Sequence, residues 1–309
     1  MEYLLLLLGF VILIKGGDWL LNSSVNFSLK LNIPKIIVGL TVVSFATSAP
    51  ELMVSVLSAF NGSSDLAVGN VIGSNIANIA LILAVVLLFS KISLNKSFFQ
   101  KDYVILLFST FLFYLLSFYD HNLSSIDGII FILILIIYVA YLIKSARTDT
   151  FDDTSAEFVN VSWVKIILTL LLGIIALYFG SELLVSNAII ISKKLGVSER
   201  VIGVTIVAIG TSLPELVASL VAIKKKENAI SFGNIIGSNI FNILCVLGLT
   251  SLIHPINIAP SFLLFDFWWM LLIVLLIPVF SFLPQKGTID YKFGIFLLVA
   301  YLGYLYLSF

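Results

Sequence analysis

Cysteine and histidine are almost absent from this chain of 309 residues. The single cysteine, Cys245, excludes an internal disulfide and a multi-cysteine metal site. The two histidines, His121 and His254, are too few for the cluster of His and Cys ligands that zinc or copper sites need. A metal ion bound by this chain is therefore expected to have oxygen ligands.

Charged residues are also scarce, because they make up only 11% of the chain, and 17 basic residues balance 17 acidic ones. A net charge of zero argues against the basic surface with which proteins bind nucleic acid. Hydrophobic residues reach 60% and the mean hydropathy is +1.15, far above the range of soluble domains. The pattern of a membrane barrel is absent, so the sequence predicts an all-α integral membrane protein.

Ten apolar runs follow one another, and most approach the roughly 20 residues that a helix needs to cross a bilayer. They cover residues 3–28, 36–60, 66–89, 103–119, 126–143, 162–191, 200–223, 229–253, 262–283 and 291–308. We therefore predict ten transmembrane helices in two five-helix repeats, residues 1–143 and residues 161–309. Residues 144–160 between the repeats are polar and acidic, and they are predicted to form a linker.

Two polar motifs each occur twice, and the same offset along the chain separates the two copies of both. Residues 39–51 read GLTVVSFATSAPE, and residues 203–215 read GVTIVAIGTSLPE. Residues 69–78 read GNVIGSNIAN, and residues 233–242 read GNIIGSNIFN, with eight of ten positions identical. The chain is therefore an internal duplication. Because each repeat has an odd number of predicted spans, the second copy is expected to be inverted in the membrane relative to the first.

The distribution of positive charge predicts the orientation of the chain. Thirteen lysine and arginine residues lie in or beside the loops after odd-numbered helices, against three on the other side. Because such residues accumulate in the cytoplasm, we expect a multi-pass protein of the cell membrane with both termini outside and the linker in the cytoplasm. The remaining cation, Lys15, is expected to snorkel or to pair with Asp18. The alternative is that Lys15 responds to a cation bound nearby.

The two motifs place polar side chains on single helix faces, because residues three or four apart lie on one face. The polar stripes consist of Ser44, Thr47, Ser48 and Glu51; Thr211, Ser212 and Glu215; Asn70, Ser74 and Asn78; and Asn234, Ser238 and Asn242. Pro50 and Pro214 interrupt the backbone hydrogen bonding beside each glutamate and free carbonyl groups that can face an ion. Gly69, Gly73, Gly233 and Gly237 are assigned to helix packing.

Hydroxyl, amide, carbonyl and carboxylate oxygens are the ligands that calcium and sodium prefer. Serine and threonine in membrane helices also serve close packing, so each hydroxyl alone has a structural explanation. Glu51 and Glu215 differ, because a charge at the centre of a bilayer costs about 2.5 to 3.5 kcal/mol. Together they neutralise one divalent or two monovalent cations, which favours mutually exclusive occupancy by different ions.

At these residues the chain resembles the sodium/calcium exchanger branch of the calcium/cation antiporter superfamily. The texts ATSAPE at residues 46–51 and GTSLPE at residues 210–215 carry the resemblance, together with the two GN-x-IGSNI-x-N texts. The resemblance implies sodium/calcium exchange by alternating access, with sliding of the first and sixth helices at Gly16 and Gly180. The metal ligands that it implies are Glu51, Glu215, Asn78, Asn242, Thr47, Ser48, Thr211, Ser212, Ser74, Ser238 and, through backbone carbonyls, Ser44 and Ala208.

One departure from the family bears on the coupling ions. Many sodium/calcium exchangers have an aspartate at one of the positions of Asn78 and Asn242, and this chain has amides at both. A centre with two negative charges suits calcium but compensates a third sodium less well. The ions expected at the site are Ca²⁺ and Na⁺, with H⁺ as the alternative coupling ion, and no cofactor or nucleic acid is expected.

Three other functions compete with this one. A calcium/proton exchanger would use the same carboxylates, since two close carboxylates also carry protons. An ion channel would conduct without an obligatory counter-ion. An intramembrane protease would need paired aspartates with a GxGD text, which the sequence lacks. We therefore expect a transporter that functions as a monomer and not an enzyme.

Overall fold

Helices account for most of the computed structural model, which describes residues 1–146, 161–196, 210–282 and 287–308. The helices in these ranges are α1 Glu2–Leu31, α2 Lys35–Thr47, α3 Ala49–Phe60, α4 Ser64–Phe89, α5 Lys96–Ser117, α6 Ser125–Ala146, α7 Trp163–Lys194, α8 Leu213–Lys224, α9 Asn228–Ile253, α10 Phe262–Phe282 and α11 Tyr291–Leu307. Four two-residue strands form two antiparallel pairs, β1 Ile92–Ser93 with β4 Thr288–Ile289 and β2 Asn122–Leu123 with β3 Ile256–Asn257.

Seven of these helices, α1, α4, α5, α6, α7, α9 and α10, are long and apolar enough to cross a membrane. The count is eight if α2 and α3, which are bent by 44° at their junction, form one span. An all-helical membrane protein is thereby confirmed. The difference from the predicted ten has a simple origin: α11 has only 17 residues, and α8 follows residues 197–209, which lie outside the described ranges.

The duplication is visible in the boundaries of the elements. Helices α3 and α8 each have 12 residues and begin at equivalent positions of the two repeats, directly before the proline. Helices α4 and α9 each have 26 residues and also begin at equivalent positions. Pro50 and Pro214 lie in the first turns of α3 and α8, where a missing backbone N–H costs no hydrogen bond within that helix. The same local sequence therefore starts the same helix twice.

Local capping residues define other helix ends. Ahead of α5, the Asn95 side chain accepts a hydrogen bond from the Phe98 backbone N–H at 2.8 Å. Ahead of α11, the Asp290 side chain accepts one from the Lys292 backbone N–H at 3.0 Å. Helix α1 ends at Asn32, whose φ of 53° is left-handed, a conformation that asparagine tolerates better than most residues. These caps satisfy backbone groups at the helix ends.

The chain forms two compact units, each of which contains parts of both repeats. Unit 1 comprises Met1–Pro50 and Ala140–Asn234, and unit 2 comprises Glu51–Val139 and Ile235–Phe309. The core of unit 1 is built from α1, α2, α7, α8 and the start of α9, and it consists of Leu13, Leu20, Leu21, Val38, Val43, Ala46, Leu177, Val217, Ala218, Ala222 and Ile230.

Glycines bring α1 and α7 of unit 1 into backbone contact. A Cβ at Gly16 would lie 2.8 Å from the Leu177 nitrogen, and one at Gly180 would lie 2.7 Å from the Leu13 nitrogen. Gly9 faces Gly180 and Leu184, so positions rise along α1 as they fall along α7. The two helices are therefore antiparallel, as expected for equivalent helices of an inverted repeat.

The packing assigned to glycines in the GNxIGSN motifs is confirmed at Gly233. A Cβ at Gly233 would lie 2.6 Å from the Ile36 carbonyl oxygen in unit 1. At Gly69 it would lie 3.3 Å from the Phe262 ring in unit 2. Among the described residues, no atom lies within 4 Å of a Cβ at Gly73.

In unit 2 the two most buried membrane helices are α4 and α9. In the most apolar 18-residue stretches of α4 and α9, 78% and 89% of the stretch is buried, against 28% to 33% in α5, α6 and α10. The large side chains of Phe113, Phe131 and Phe267 are fully buried in this unit. The polar second motif of each repeat therefore lies on a helix shielded from lipid.

Candidate cation site

Each glutamate lies in the first turn of a helix that a serine precedes. Helix α2 ends at Thr47, and Ser48 has φ −82° and ψ 3°, which lies between the helical and extended regions. Ser212, the equivalent residue before α8, has φ −89° and ψ 7°. Helices α3 and α8 begin directly afterwards and place Glu51 and Glu215 in their first turns. Glutamates at this position are favoured by the positive end of the helix dipole.

The proline beside Glu215 leaves one carbonyl oxygen without a backbone donor, and a serine hydroxyl donates to that oxygen. Pro214 donates no hydrogen bond to the Gly210 carbonyl four residues earlier. The Ser181 hydroxyl of α7 donates to that oxygen instead, at 2.8 Å, and its side chain is buried. We expected the freed carbonyls to face an ion, and at Gly210 the structure gives the oxygen a protein donor.

In unit 1 a group of buried polar residues connects the two repeats. The Ser48 hydroxyl donates to the Glu215 carboxylate at 3.3 Å, and the Thr47 hydroxyl donates to the Asn234 side-chain oxygen at 3.1 Å. Thr47, Ser48, Glu215 and Asn234 are all at most 3% exposed. The predicted ligands Thr47, Ser48 and Glu215 are thus brought together.

Ser44 has its oxygen atoms engaged within the protein. Its hydroxyl donates to the carbonyls of Gly39 at 2.7 Å and Asn234 at 3.0 Å. Its carbonyl accepts from the Ser48 N–H at 2.9 Å and from the Thr47 hydroxyl at 3.3 Å. A role of this carbonyl as an ion ligand therefore requires one of the two donors to be displaced.

Glu51 and polar residues of α4 and α9 are also buried in unit 2. The side chains of Glu51, Asn78, Ser238 and Asn242 are 0% exposed, and Ser74 is 2% exposed. A carboxylate, two amides and two hydroxyls are therefore withheld from water in an apolar protein. Burial of this kind is costly for a group without compensation.

Asn78 and Asn242 are the clearest candidates for ligands. Neither the side-chain nitrogen nor the side-chain oxygen of either amide forms a hydrogen bond with another described residue. Each asparagine begins a π-helical turn, Asn78–Leu83 in α4 and Asn242–Leu247 in α9. Such turns are rare and occur frequently at functional sites. Two buried, unsatisfied amides at equivalent positions indicate a missing polar or charged partner.

Equivalent asparagines hold the backbone at both glutamates. The Asn70 amide nitrogen donates to the Glu51 carbonyl at 3.2 Å and to the Ser55 hydroxyl at 3.0 Å. In the second repeat the Asn234 nitrogen donates to the Glu215 carbonyl at 3.4 Å, and it donates to the hydroxyl of Ser219 at 3.0 Å. The arrangement fixes the turn from which each carboxylate projects.

The sequence argument missed Ser55 and Ser219 because a serine in an apolar helix is also typical of packing. Both lie four residues after a glutamate, at equivalent positions of the two repeats, and that shared spacing was the available signal. Of the remaining predicted ligands, Thr211 is half-buried, and Ser212 is buried with no hydrogen bond from its hydroxyl to a described residue. Ala208 lies outside the described residues.

The predicted pairing of Lys15 with Asp18 is wrong. Asp18 forms an ion pair with Lys225, and Asn22 donates to the same carboxylate at 3.4 Å. Lys15 is exposed and makes no ion pair with a described residue. Lys225, directly after the end of α8, pairs with Asp18. The spacing of residues along α1 does not predict this contact.

The donor atoms suit a hard cation. No three His, Cys, Asp or Glu side chains cluster in the part of the chain that the structure describes. The buried donors are oxygens of carboxylate, amide and hydroxyl groups, which bind calcium and sodium rather than zinc or copper. With carboxylates so few, amides and hydroxyls would have to supply most of the ligands.

Comparisons with known proteins agree on one family. The model of the family described as sodium/calcium exchanger protein matches residues 1–144 and 165–309. The CaxA protein of Alkalimonas amylolytica is 38% identical over 98% of this chain and 97% of its own. The sodium/calcium exchanger MaX1 of Methanosarcina acetivorans is 32% identical over 100% of this chain and 98% of its own.

Solved structures give the same answer. A structure of the sodium-calcium exchanger NCX_Mj, soaked with zero Na⁺ and Ca²⁺, is similar to this chain with a TM-score of 0.82 and 30% identity. The match covers 97% of this chain and 96% of that one. A second structure of the same exchanger, soaked with 2.5 mM Na⁺ and 1 mM Sr²⁺, has a TM-score of 0.83.

Proposed function

This chain belongs to the sodium/calcium exchanger protein family, and we propose that it is a secondary active antiporter that exchanges calcium for sodium by alternating access. The relatives named as sodium/calcium exchangers match nearly the whole chain, which supports the same cargo here. The ions are substrates, and the protein's own groups supply the binding energy and the coupling between them.

We propose an architecture of ten transmembrane helices in two inverted five-helix repeats, residues 1–143 and residues 161–309, joined by the linker 144–160. The matching boundaries of α3 with α8 and of α4 with α9 support the duplication. The antiparallel contact of α1 with α7 supports the inversion. The excess of Lys and Arg after odd-numbered helices favours external termini, a cytoplasmic linker and the cell membrane. The protein would act as a monomer.

The unsatisfied amides of Asn78 and Asn242 carry the proposal for the ligands. A buried amide without a partner costs free energy, and a cation that accepts its oxygen as a ligand removes part of that cost. We propose that these oxygens bind the transported ion together with the carboxylates of Glu51 and Glu215. The hydroxyls proposed to complete the ligand set are those of Thr47, Ser48, Thr211, Ser212, Ser74 and Ser238.

Competition between the ions follows from charge and ligand type. Glu51 and Glu215 balance the charge of one calcium ion or of two sodium ions. Because both ions need the same oxygens, occupancy by one excludes the other. After one ion has left, the counter-ion must bind before the site opens to the other side of the membrane. We propose that α1 and α7 slide together in this change, since their glycines place backbone against backbone.

Calcium uptake into proteoliposomes tests the function directly. We expect an outward sodium gradient to drive calcium accumulation, and a proton gradient of equal size without sodium to drive little. Accumulation driven by the proton gradient alone would make the protein a cation/proton exchanger. Calcium flux that runs down its own gradient without any counter-ion would indicate a channel and would overturn antiport.

A further inference from the structure

A cavity of about 500 Å³ lies in unit 1, away from the residues of the candidate cation site. It is bounded by the second half of α1, the first turns of α7 and the segment between α8 and α9. The side chains that matter for its chemistry are Trp19, Asn22, Asn26, Lys165, Lys225 and Glu227. The lining is therefore polar and aromatic, unlike the lipid-facing surface of the same helices.

The two acidic groups at this cavity are already neutralised by lysines. Lys225 forms an ion pair with Asp18 and donates to the Asn22 side-chain oxygen at 2.8 Å. Glu227 forms an ion pair with Lys35 at 2.9 Å. Neither carboxylate is left to attract a further cation.

Among the described residues at the cavity, positive charge remains in excess. Lys165 lines the cavity, is exposed, and forms no ion pair with a described residue. It lies in the first turn of α7, which contains no acidic residue, although the positive end of a helix dipole disfavours a cation there. Lys30 approaches from α1, where it donates to the Val161 carbonyl and lies 5.1 Å from the Trp163 ring centroid. An anion at the cavity would relieve this repulsion.

Aromatic residues place the cavity at the edge of the bilayer. Trp19 lines it, Trp163 lies beside Lys30, and each tryptophan is 40% exposed. Tryptophan is enriched at the level of lipid headgroups, and the lysines of the segment after α8 belong to the side predicted to be cytoplasmic. A basic pocket between membrane helices at this depth is typical of sites for anionic lipid headgroups.

We propose that this cavity binds the phosphate of an anionic membrane lipid. Lys165 would contact the phosphate oxygens. The Asn26 amide, which makes no hydrogen bond with a described residue, and the Asn22 amide would donate to the phosphate or to the glycerol headgroup. The tryptophans would contact the upper acyl chain. The lipid would thereby touch both α1 and α7, the helices that are proposed to slide.

The test measures lipid binding to the purified full chain in a neutral detergent, without sodium or calcium, so that its result is independent of transport. Native mass spectrometry would compare added phosphatidylglycerol with phosphatidylcholine. We expect preferential binding of phosphatidylglycerol, and Lys165→Gln is expected to lower its affinity about fivefold, the effect of one lysine near an anionic headgroup. Lys165→Arg should retain binding.

Lys96→Gln is the matched control, because Lys96 is also exposed and lies on the side predicted to be cytoplasmic, but does not line the cavity. It should bind phosphatidylglycerol like the original chain. Equal binding of the two lipids, or an unchanged affinity in Lys165→Gln, would overturn the proposal. So would stabilisation by inorganic phosphate with no effect of phosphatidylglycerol, because the ligand would then be a free anion and not a lipid.

Discussion

The Ser48 hydroxyl donates a hydrogen bond to the Glu215 carboxylate at 3.3 Å, although 167 residues separate the two in sequence. Ser48 lies at the junction of α2 and α3 in the first repeat, and Glu215 lies in the first turn of α8 in the second. A charged group in an apolar environment is thus held by a hydroxyl from the other repeat. An ion that binds the Glu215 carboxylate would compete with the Ser48 hydroxyl for the same oxygen atoms. Ion binding would therefore change the hydrogen bonding of Ser48, which belongs to the first repeat.

The first prediction concerns the carboxylates. Glu51→Gln and Glu215→Gln preserve the shape of the side chain and remove its charge. Each should weaken calcium binding by more than about 2 kcal/mol, or roughly 30-fold, because a close charge pair inside a protein is worth several kcal/mol. Sodium-driven uptake of radioactive calcium, measured over a range of calcium concentrations, provides the readout.

Asp65→Asn is the control for this prediction, because it makes the same acid-to-amide change at an exposed residue. Its uptake should match that of the original chain. Near-normal exchange in either glutamine variant would count against a role of that glutamate as an ion ligand.

The second prediction adds a charge where the amides are unsatisfied. In the proposed ligand set, Asn242→Asp would add a third carboxylate to those of Glu51 and Glu215 and should strengthen compensation for a further sodium ion. We expect calcium transport to persist while its dependence on sodium concentration becomes steeper. Asn257→Asp, at an exposed position in β3, controls for the added charge. An unchanged sodium dependence in Asn242→Asp would contradict the argument that two carboxylates compensate a further sodium ion poorly.

The sequence predicted the parts of the molecule that depend on local rules applied twice. Pro50 and Pro214 indicated helix breaks beside the two glutamates, and the structure has helices that begin at Ala49 and Leu213. The cost of a buried charge made Glu51 and Glu215 stand out, and both are 0% exposed. These inferences needed only helix periodicity, the geometry of proline and the apolar surroundings.

Features that depend on which helices meet could not be predicted in this way. Asp18 pairs with Lys225, which is remote in sequence, instead of with the nearby Lys15. The Asp102 and Asp266 carboxylates also occupy equivalent positions of the two repeats, yet nothing in their local sequence indicates a partner. Each accepts a hydrogen bond from a tyrosine, Tyr138 at 3.0 Å and Tyr304 at 2.7 Å. Such pairs become visible only when the helices are placed side by side.

The third prediction tests one of these pairs. Tyr138→Phe removes the donor to Asp102, a carboxylate that is 6% exposed. We expect a loss of about 1.5 to 3 kcal/mol of stability, the range for a hydrogen bond to a charged group, with unchanged calcium affinity. Thermal unfolding in detergent and calcium titration measure the two quantities. Tyr306→Phe, a change at an exposed tyrosine in α11, is the control, and a larger shift in affinity than in stability would contradict the prediction.

The fourth prediction concerns the backbone at Glu51. Asn70 donates to the Glu51 carbonyl and to the Ser55 hydroxyl, so Asn70→Ala and Ser55→Ala remove parts of one network. Their effects on stability should be non-additive by more than about 0.5 kcal/mol, as is usual for residues in contact. A double-mutant cycle by thermal unfolding measures the coupling. The pair Asn70→Ala with Ser109→Ala should be additive, because Ser109 donates instead to the Leu106 carbonyl in α5.

The last prediction addresses the contact between α1 and α7. A Cβ at Gly173 would lie 2.7 Å from the Leu20 nitrogen, and backbone cannot rotate away as a side chain can. Gly173→Ala should therefore separate the helices, at a cost of about 1 to 3 kcal/mol in stability, and slow exchange. In Gly303→Ala the new Cβ would have no atom of a described residue within 4 Å, and the change should leave both unchanged. Comparing melting temperature with calcium uptake distinguishes the outcomes. If Gly173→Ala lowered stability but exchanged ions at the original rate, the close contact would serve packing alone, and sliding of α1 with α7 would lose its support.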